Sequence, residues 1–295
     1  MLLSIGMPVF NDATFLPAAL DSLLNQSFKN FEFIISDDQS TDGSADICKD
    51  YALRDNRIKY IRQTENIGIS ANMKFLLNES VGKYFMWAAN DDIWSLDFIT
   101  ELVNALEGNH TAIVAFCPYL YINQSSEVIQ PATLRAFDYS ARRAYERIRN
   151  LTKFYDDGFG YGIFVREKIL DVEFPRWVWP NHKCSYNNIY PSLYFYLAKG
   201  DFLLVGSTPL WFNRIKNNPH HSIPYRGHLI PCYWAFVIRK INLAFWCFVS
   251  VKRACGSLGL SIKILPLLFV RFTEDCWMEL RAQIRNYKAG MIKLF

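Results

Sequence analysis

Strand-like and helix-like segments alternate regularly between residues 2 and 117. Residues 2–9, 31–36 and 83–88 are short apolar runs, each followed by turn-forming polar residues, as is typical of buried strands. Apolar residues between these runs recur at helical spacing, as in the four leucines of residues 16–24. Strands that alternate with helices usually form a parallel sheet covered on both faces. The sequence therefore predicts an α/β fold with a doubly wound, mainly parallel sheet.

Polar clusters follow three of these predicted strands. They are Pro8, Phe10 and Asn11 at the end of the run 2–9, Asp37 and Asp38 after the run 31–36, and Asn90, Asp91 and Asp92 after the run 83–88. In such sheets, ligands bind beyond the carboxyl ends of the strands, so we expect these clusters to share one edge. Asp91 and Asp92 suit a hard divalent cation, whereas Asp37 and Asp38 suit a nucleobase or a ribose hydroxyl. The alternative for each cluster is an ordinary turn or helix cap.

Two long segments of the sequence, which contain these clusters, resemble a known protein family. Residues 4–44 read SIGMPVFNDATFLPAALDSLLNQSFKNFEFIISDDQSTDGS, and residues 62–94 read RQTENIGISANMKFLLNESVGKYFMWAANDDIW. Their motifs, in order, resemble the opening of the family 2 glycosyltransferases, over about residues 3–118. The resemblance implies the GT-A fold, which is Rossmann-like. It also implies inverting transfer of a sugar from a nucleotide diphosphate donor, here a UDP-sugar, to an acceptor hydroxyl, with bound Mg²⁺ or Mn²⁺.

The resemblance assigns roles to residues at matching positions. Asp38 would bind the base with support from Asp37, the loop of residues 66–69 would border the nucleotide, and Asp91 would bind the metal with Asp92 beside it. The other residues implied to bind the nucleotide sugar are Pro8, Phe10, Asn11, Asn66, Gly68 and Asn90. Many family members have a further acid before this last motif, where the chain has Ala89 and Asn90. Asn90 is therefore expected to contribute its carbonyl oxygen, in a site with fewer carboxylate ligands.

The position of the catalytic base departs from the family pattern. Inverting members place a carboxylate before the helix that follows the acceptor loop, and here that stretch contains Asn187 and Asn188. An amide cannot accept the proton of an acceptor hydroxyl. Asp156 and Asp157 are the alternative candidates for the base. The amides also leave open a catalytically impaired, glycosyltransferase-like protein that binds nucleotide or serves in assembly.

The alternation of strands and helices is less regular between residues 119 and 230. We assign residues 1–230 to one domain, with 1–118 as its donor-binding half and 119–230 as its acceptor-binding half. Gly158, Gly160 and Gly162 do not match a dinucleotide fingerprint, because no helix follows them. They predict a tight turn or the floor of an acceptor cleft. The resemblance also implies a basic residue that meets the diphosphate, for which Arg214 and His221 are the candidates, with a solvated loop as the alternative. A nucleotidylyltransferase is disfavoured, because the loop after the first strand is neither glycine-rich nor basic.

The C-terminal region, 231–295, combines apolar helical patterns with basic charge. From residue 232 onward it holds ten Lys and Arg against three Asp and Glu, and its uncharged runs are too short to span a bilayer. We therefore predict basic amphipathic helices lying on an anionic membrane surface, with packing on the catalytic core as the alternative. Scattered cysteines and the absence of a signal-peptide pattern predict a cytoplasmic protein, peripheral on the inner face of the membrane. A glycan or lipid-linked glycan acceptor in cell-surface polysaccharide assembly follows as an expectation, with no nucleic-acid partner.

Overall fold

A computed structural model gives the conformation of residues 1–130, 139–141, 143–154, 156–175, 189–215 and 229–288. Ten strands are assigned within these residues. They are β1 Leu3–Val9, β2 Phe31–Asp37, β3 Ile58–Arg62, β4 Tyr84–Trp87, β5 Ile93–Trp94, β6 Ala112–Phe116, β7 Tyr119–Ile122, β8 Ile163–Val165, β9 Asp201–Leu204 and β10 Trp211–Arg214.

Seven of these strands form the central sheet, in the order β3-β2-β1-β4-β8-β6-β9. Neighbouring strands are parallel except at β8, which runs antiparallel to both β4 and β6. The predicted α/β fold with a mainly parallel sheet is therefore confirmed. The chain reverses into β8, so the turn that precedes β8 lies at the same edge as the carboxyl ends of β4 and β6.

The strands β5, β10 and β7 form a second, three-stranded sheet, which the sequence analysis did not predict. In this sheet β10 is antiparallel to β5 and parallel to β7. The second sheet therefore joins β5, which directly follows Asp92, to β10, which ends at Arg214 more than a hundred residues later. This small sheet holds the segment that follows β4 in place.

Helices cover both faces of the central sheet. One apolar core contains Leu3, Ile5 and Met7 of β1, and a second core on the other face contains Ile34 of β2 and Phe85 of β4. This alternation is the period-two pattern of strands that are buried on both faces. The first core takes in α1 Leu16–Leu24, α2 Ser44–Arg54 and α4 Phe98–Glu107, and the second takes in α3 Gly68–Glu79, α5 Ala144–Phe154 and α6 Tyr190–Lys199.

Two long helices, α7 Leu229–Cys255 and α8 Leu258–Lys288, follow the last strand as a hairpin. Cys247 and Val251 of α7, and Ile264 and Leu268 of α8, are buried in the second core. The inner face of the hairpin thus packs on the helical layer of the α/β domain, as in one of the two arrangements that the sequence left open. Among the residues described, no helix combines the length and apolar character needed to cross a membrane.

Candidate active site

Hydrogen bonds join the loop that follows β1 to the loop that follows β2. The backbone N–H of Asn11 donates to Oγ of Ser40 at 3.0 Å, and the N–H of Thr41 donates to Oδ1 of Asn11 at 2.7 Å. Asn11 adopts a left-handed backbone conformation with φ of 51°, which asparagine tolerates better than most residues. Beside it, the ring of Phe10 is 50% exposed. Two of the predicted nucleoside-pocket residues therefore lie side by side at this edge, with one ring open to a ligand.

The acid pair after β2 is bound by the surrounding chain. The carboxylate of Asp37, which is completely buried, accepts hydrogen bonds from the N–H of Ser40 at 2.9 Å and from the Tyr60 hydroxyl at 3.0 Å. The Asp38 carboxylate accepts from the backbone N–H groups of Ile67 at 2.7 Å and Gly68 at 2.9 Å. Each carboxylate oxygen can accept more than one hydrogen bond, so these contacts do not exhaust Asp38.

The contacts of Asp38 hold the loop that the sequence predicted to border the nucleotide. Asn66 supports the same loop by donating from Nδ2 to the Asp38 carbonyl oxygen at 3.1 Å. Gly68 begins α3 with φ of 78°, a conformation that favours glycine. Asp38, Asn66 and Gly68 are therefore brought together as expected, although the sequence analysis missed that Asp38 anchors the loop.

The two acids after β4 differ sharply in their surroundings. Asp92 is 1% exposed, and its carboxylate accepts hydrogen bonds from Nε1 of Trp211 and from the N–H of Arg214, both at 2.8 Å. Burial and the neighbouring charge of Asp91 raise the pKa of Asp92, whereas these two donors act in the opposite direction. The Asp92 carboxylate thus ties the metal motif to the second sheet, whereas Asp91 is only partly buried.

Arg214, a candidate to meet the diphosphate, is 5% exposed. Its guanidinium donates to the carbonyl oxygens of Asp91 and Asn123, each at 2.7 Å, and to Oγ of Ser126 at 2.9 Å. Its contacts hold the metal motif and the segment after β7 together, so the alternative of a solvated loop is wrong for this residue. The other candidate, His221, lies outside the residues that the structure describes.

A cavity of about 270 Å³ opens beside the metal motif. Pro8 of β1, Ile69 at the start of α3 and Asn90 after β4 all line it, so three of the predicted loops converge on one space. Its deeper wall is aromatic and includes Trp87 and Tyr196. A concave, mostly apolar pocket with a few polar groups at its mouth is the usual form of a small-molecule site.

The two candidate bases occupy different positions at this cavity. Asp156 is buried, and its carboxylate accepts a hydrogen bond from the Tyr119 hydroxyl at 2.8 Å. Asp157 lines the cavity together with Asn90 and Tyr161. The structure therefore separates a buried acid from one that faces the site. Asn187 and Asn188 lie outside the described residues.

The carboxylates present fit a divalent cation only if the ligand supplies most of its oxygens. Within the described ranges, no three His, Cys, Asp or Glu side chains come close enough to hold an ion by themselves. Mg²⁺ usually binds through one or two carboxylates, substrate phosphates and water, which matches Asp91 with help from Asn90. The assignments of Asp91 and Asp92 as metal ligands stay predictions, and the protein contacts of Asp92 favour Asp91.

Comparisons with known proteins agree on the fold and the class. The family model described as "Glycosyl transferase family 2" matches residues 4–172. The glycosyltransferase GlyA of Streptococcus pneumoniae is 35% identical over 123 residues, and that alignment covers 42% of this chain and 17% of GlyA. This chain thus spans less than a fifth of that relative's length.

Solved structures resemble the chain over almost its whole length. Residues 1–349 of Staphylococcus aureus TarS, in complex with UDP-GlcNAc, superpose with a TM-score of 0.62 at 14% identity, covering 99% of this chain and 93% of that one. The mannosyltransferase PcManGT of Pyrobaculum calidifontis, in complex with GDP-Man and Mn²⁺, gives a TM-score of 0.55 at 15% identity, covering 98% and 74%. The predicted GT-A fold is confirmed by these neighbours.

Proposed function

The chain belongs to glycosyl transferase family 2, and on that premise we propose that it transfers a sugar from a UDP-linked donor to an acceptor hydroxyl, with inversion at the anomeric carbon. The observation that carries the proposal is the convergence of Pro8, Ile69 and Asn90 on one cavity beside Asp91. The nucleoside would bind at the loops after β1 and β2, and the sugar would extend into the cavity.

The nucleoside half of the donor is proposed to lie between Phe10 and the Asp38 loop. The exposed Phe10 ring offers a stacking surface to a base, and Asn11 fixes the loop behind it. Asp38 has remaining acceptor capacity for a base N–H, and the loop it anchors places the start of α3 beside the same space.

The diphosphate half is proposed to lie beside Asp91 and Asn90. A bound Mg²⁺ or Mn²⁺ would act there as a Lewis acid that neutralises charge developing on the leaving group. Asp92 and Arg214 contribute by position, because their contacts with the second sheet hold this segment still. Holding reacting groups in place supplies a large part of the rate enhancement of such reactions.

The acceptor is proposed to be a glycan or lipid-linked glycan at the inner membrane surface, in polysaccharide assembly. Support comes from an apolar groove between α7 and α8, part of whose lining is exposed. Its lining residues are Ile241, Ala244, Phe245 and Phe248 of α7 and Leu265, Leu268, Phe269 and Phe272 of α8. Phe245 and Phe269 are 56% and 66% exposed, and apolar side chains exposed in such a row commonly mark interaction surfaces.

The charge around this groove suits an anionic membrane. Between residues 241 and 273 the chain contains four Lys and Arg and no Asp or Glu. Arg253 pairs with Glu173 and Arg271 with Asp275, so the charge proposed to face the membrane is that of Lys252 and Lys263. Lys252 and Lys263 are exposed near the hairpin turn. Basic amphipathic helices with aromatic residues lie in the membrane interface, with apolar side chains inserted and cations at the headgroups. We therefore propose peripheral attachment through the hairpin on the cytoplasmic face.

The function is tested by turnover of UDP-, GDP- and dTDP-sugars by the full chain, with and without Mn²⁺. We expect Mn²⁺-dependent release of UDP from a UDP-sugar. Tight binding of UDP without turnover of any donor would instead support the impaired, glycosyltransferase-like alternative. No binding of any nucleotide would contradict the proposed donor site itself.

A further inference from the structure

The turn that precedes β8 is built to present one carboxylate to the cavity. It reads Asp156-Asp157-Gly158-Phe159-Gly160-Tyr161-Gly162 and contains a single 3-10 turn, Gly158–Tyr161. Because β8 runs antiparallel to β4, this turn lies at the strand edge where Asn90 and Asp91 also lie. Asp157 and the metal motif thus come from distant parts of the chain to one cavity.

The first acid of the turn fixes the backbone. One Asp156 oxygen accepts from the Tyr119 hydroxyl at 2.8 Å, and the other accepts from the N–H of Gly158 at 3.0 Å. The Tyr139 hydroxyl donates to the Asp156 carbonyl oxygen at 2.7 Å. These contacts from β7, from Gly158 in the turn and from the segment before α5 hold the buried Asp156 side chain in place. Asp156 is therefore a positioning residue.

Glycines allow the turn to sit tightly against β6 and β7. A Cβ at Gly158 would lie 2.5 Å from a ring carbon of Tyr119, and a Cβ at Gly162 would lie 2.4 Å from the carbonyl oxygen of Ala115. Such distances exclude any side chain unless the backbone shifts. The close fit explains Gly158 and Gly162, and it restrains the backbone that follows Asp157.

The second acid of the turn has the surroundings of a base. Asp157 is accessible to solvent in the cavity, and among the described residues no other residue donates a hydrogen bond to its carboxylate. No Lys, Arg or His lines the described walls of the cavity, and Asp157 interacts electrostatically with Asp156, Tyr139 and Tyr161. Desolvation by the surrounding protein, together with the charge of Asp156, raises the pKa of Asp157 to about 6. A raised pKa makes this carboxylate a better proton acceptor than an ordinary aspartate.

We propose that Asp157 is the catalytic base of the transfer, an inference that rests on the proposed glycosyltransferase function. It takes the role for which the chain offers only the amides Asn187 and Asn188 at the expected position. The Asp157 carboxylate accepts the proton of the acceptor hydroxyl while that oxygen forms a bond to the anomeric carbon. The bond from this carbon to the diphosphate oxygen breaks, and its electron pair leaves with the diphosphate.

The test uses two acceptors that differ only in whether a proton must be removed. With UDP-N-acetylglucosamine as donor, or the donor that the wild type turns over fastest, water must lose a proton, whereas azide attacks as an anion. We expect Asp157→Asn to slow hydrolysis by roughly 100-fold or more, the usual contribution of a general base. Formation of the glycosyl azide and the affinity for UDP should remain close to wild type.

Controls separate chemistry from folding. Asp171→Asn, an exposed acid paired with Lys199 away from the cavity, should leave both reactions unchanged. Equal loss of hydrolysis and azide transfer in Asp157→Asn, against an active wild type, would overturn the assignment of the base alone. Unchanged hydrolysis would do the same. A wild type that binds UDP but turns over no donor would overturn the proposed function and the base together.

Discussion

The acid pair after β2 and the acid pair after β4 look alike in the sequence but are used differently. Asp37 and Asp38 both accept hydrogen bonds from neighbouring loops, so the pair after β2 is a scaffold for the nucleoside loops. In the pair after β4, Asp92 is bound by Trp211 and Arg214, whereas Asp91 is directed to the donor in the proposed site. The difference teaches that a carboxylate's role depends on which donors reach it, and substitutions can test that division.

The largest effect is expected at Asp91. Asp91→Asn keeps the size of the side chain but removes the charge that would hold the cation and the diphosphate. We expect turnover of the UDP-sugar to fall by roughly 100- to 1,000-fold, which corresponds to about 3–4 kcal/mol of transition-state stabilisation. The melting temperature should stay close to that of the wild type. Full turnover in this variant would remove Asp91 from the proposed site and leave the two acid pairs alike.

A smaller effect, of a different kind, is expected at Asp92. Asp92→Ala leaves the buried Nε1 of Trp211 and the N–H of Arg214 without their acceptor. Each unsatisfied buried donor costs about 1–3 kcal/mol, so the free energy of unfolding measured in urea should fall clearly. Asp97→Ala is the matched control, because Asp97 is an exposed acid three residues after Trp94, the last residue of β5. Unchanged stability would show that Asp92 is not part of the scaffold.

A substitution of Asp38 tests whether an acid that holds a loop in place also binds the nucleobase. Asp38→Ala should weaken UDP binding by about 1–3 kcal/mol in calorimetry, because a base N–H loses its acceptor. It should also speed hydrogen exchange of the Ile67 and Gly68 amides, which lose the same carboxylate. Faster exchange with unchanged UDP affinity would assign Asp38 to the loop alone.

The smallest effect is expected in the C-terminal hairpin, where the exposed groups are apolar rather than acidic. Phe269→Ser should weaken sedimentation with anionic vesicles roughly tenfold, because burying a phenylalanine is worth about 1.5–3 kcal/mol. Val270→Ser is the control, since Val270 is exposed beside Phe269 but does not line the groove. Equal behaviour of both variants, or no binding of the wild type, would contradict the membrane attachment.

Long elements of the fold could be predicted from the sequence because their patterns are local. The helix expected from the leucines of residues 16–24 is found as Leu16–Leu24, and β1 differs from its prediction by one residue. The second sheet could not be predicted, because β5 has two residues and β10 has four. Strands that short carry no periodic signal, and the partners that stabilise them are distant in the chain.

The loops that form the site could be predicted from the sequence, but the separate role of each acid within a pair could not. Spacing alone cannot separate Asp91 from Asp92, since the Trp211 that binds Asp92 lies 119 residues further along the chain. The same holds for Asp156 and Asp157. Asp156 is buried and accepts a hydrogen bond from Tyr119, which lies 37 residues earlier in the chain, whereas Asp157 is accessible to solvent. In both pairs, only the tertiary structure shows which carboxylate accepts the hydrogen bond from Trp211 or Tyr119.

The division between Asp91 and the scaffold acids is tested most directly by calorimetric titration of UDP into the full chain, with and without Mn²⁺. The wild type should bind UDP more tightly when Mn²⁺ is present, because Asp91 would help to hold a cation that offsets the charge of the diphosphate. Asp91→Asn should bind UDP with an affinity that Mn²⁺ no longer changes. An identical Mn²⁺ dependence in the two proteins would contradict the account.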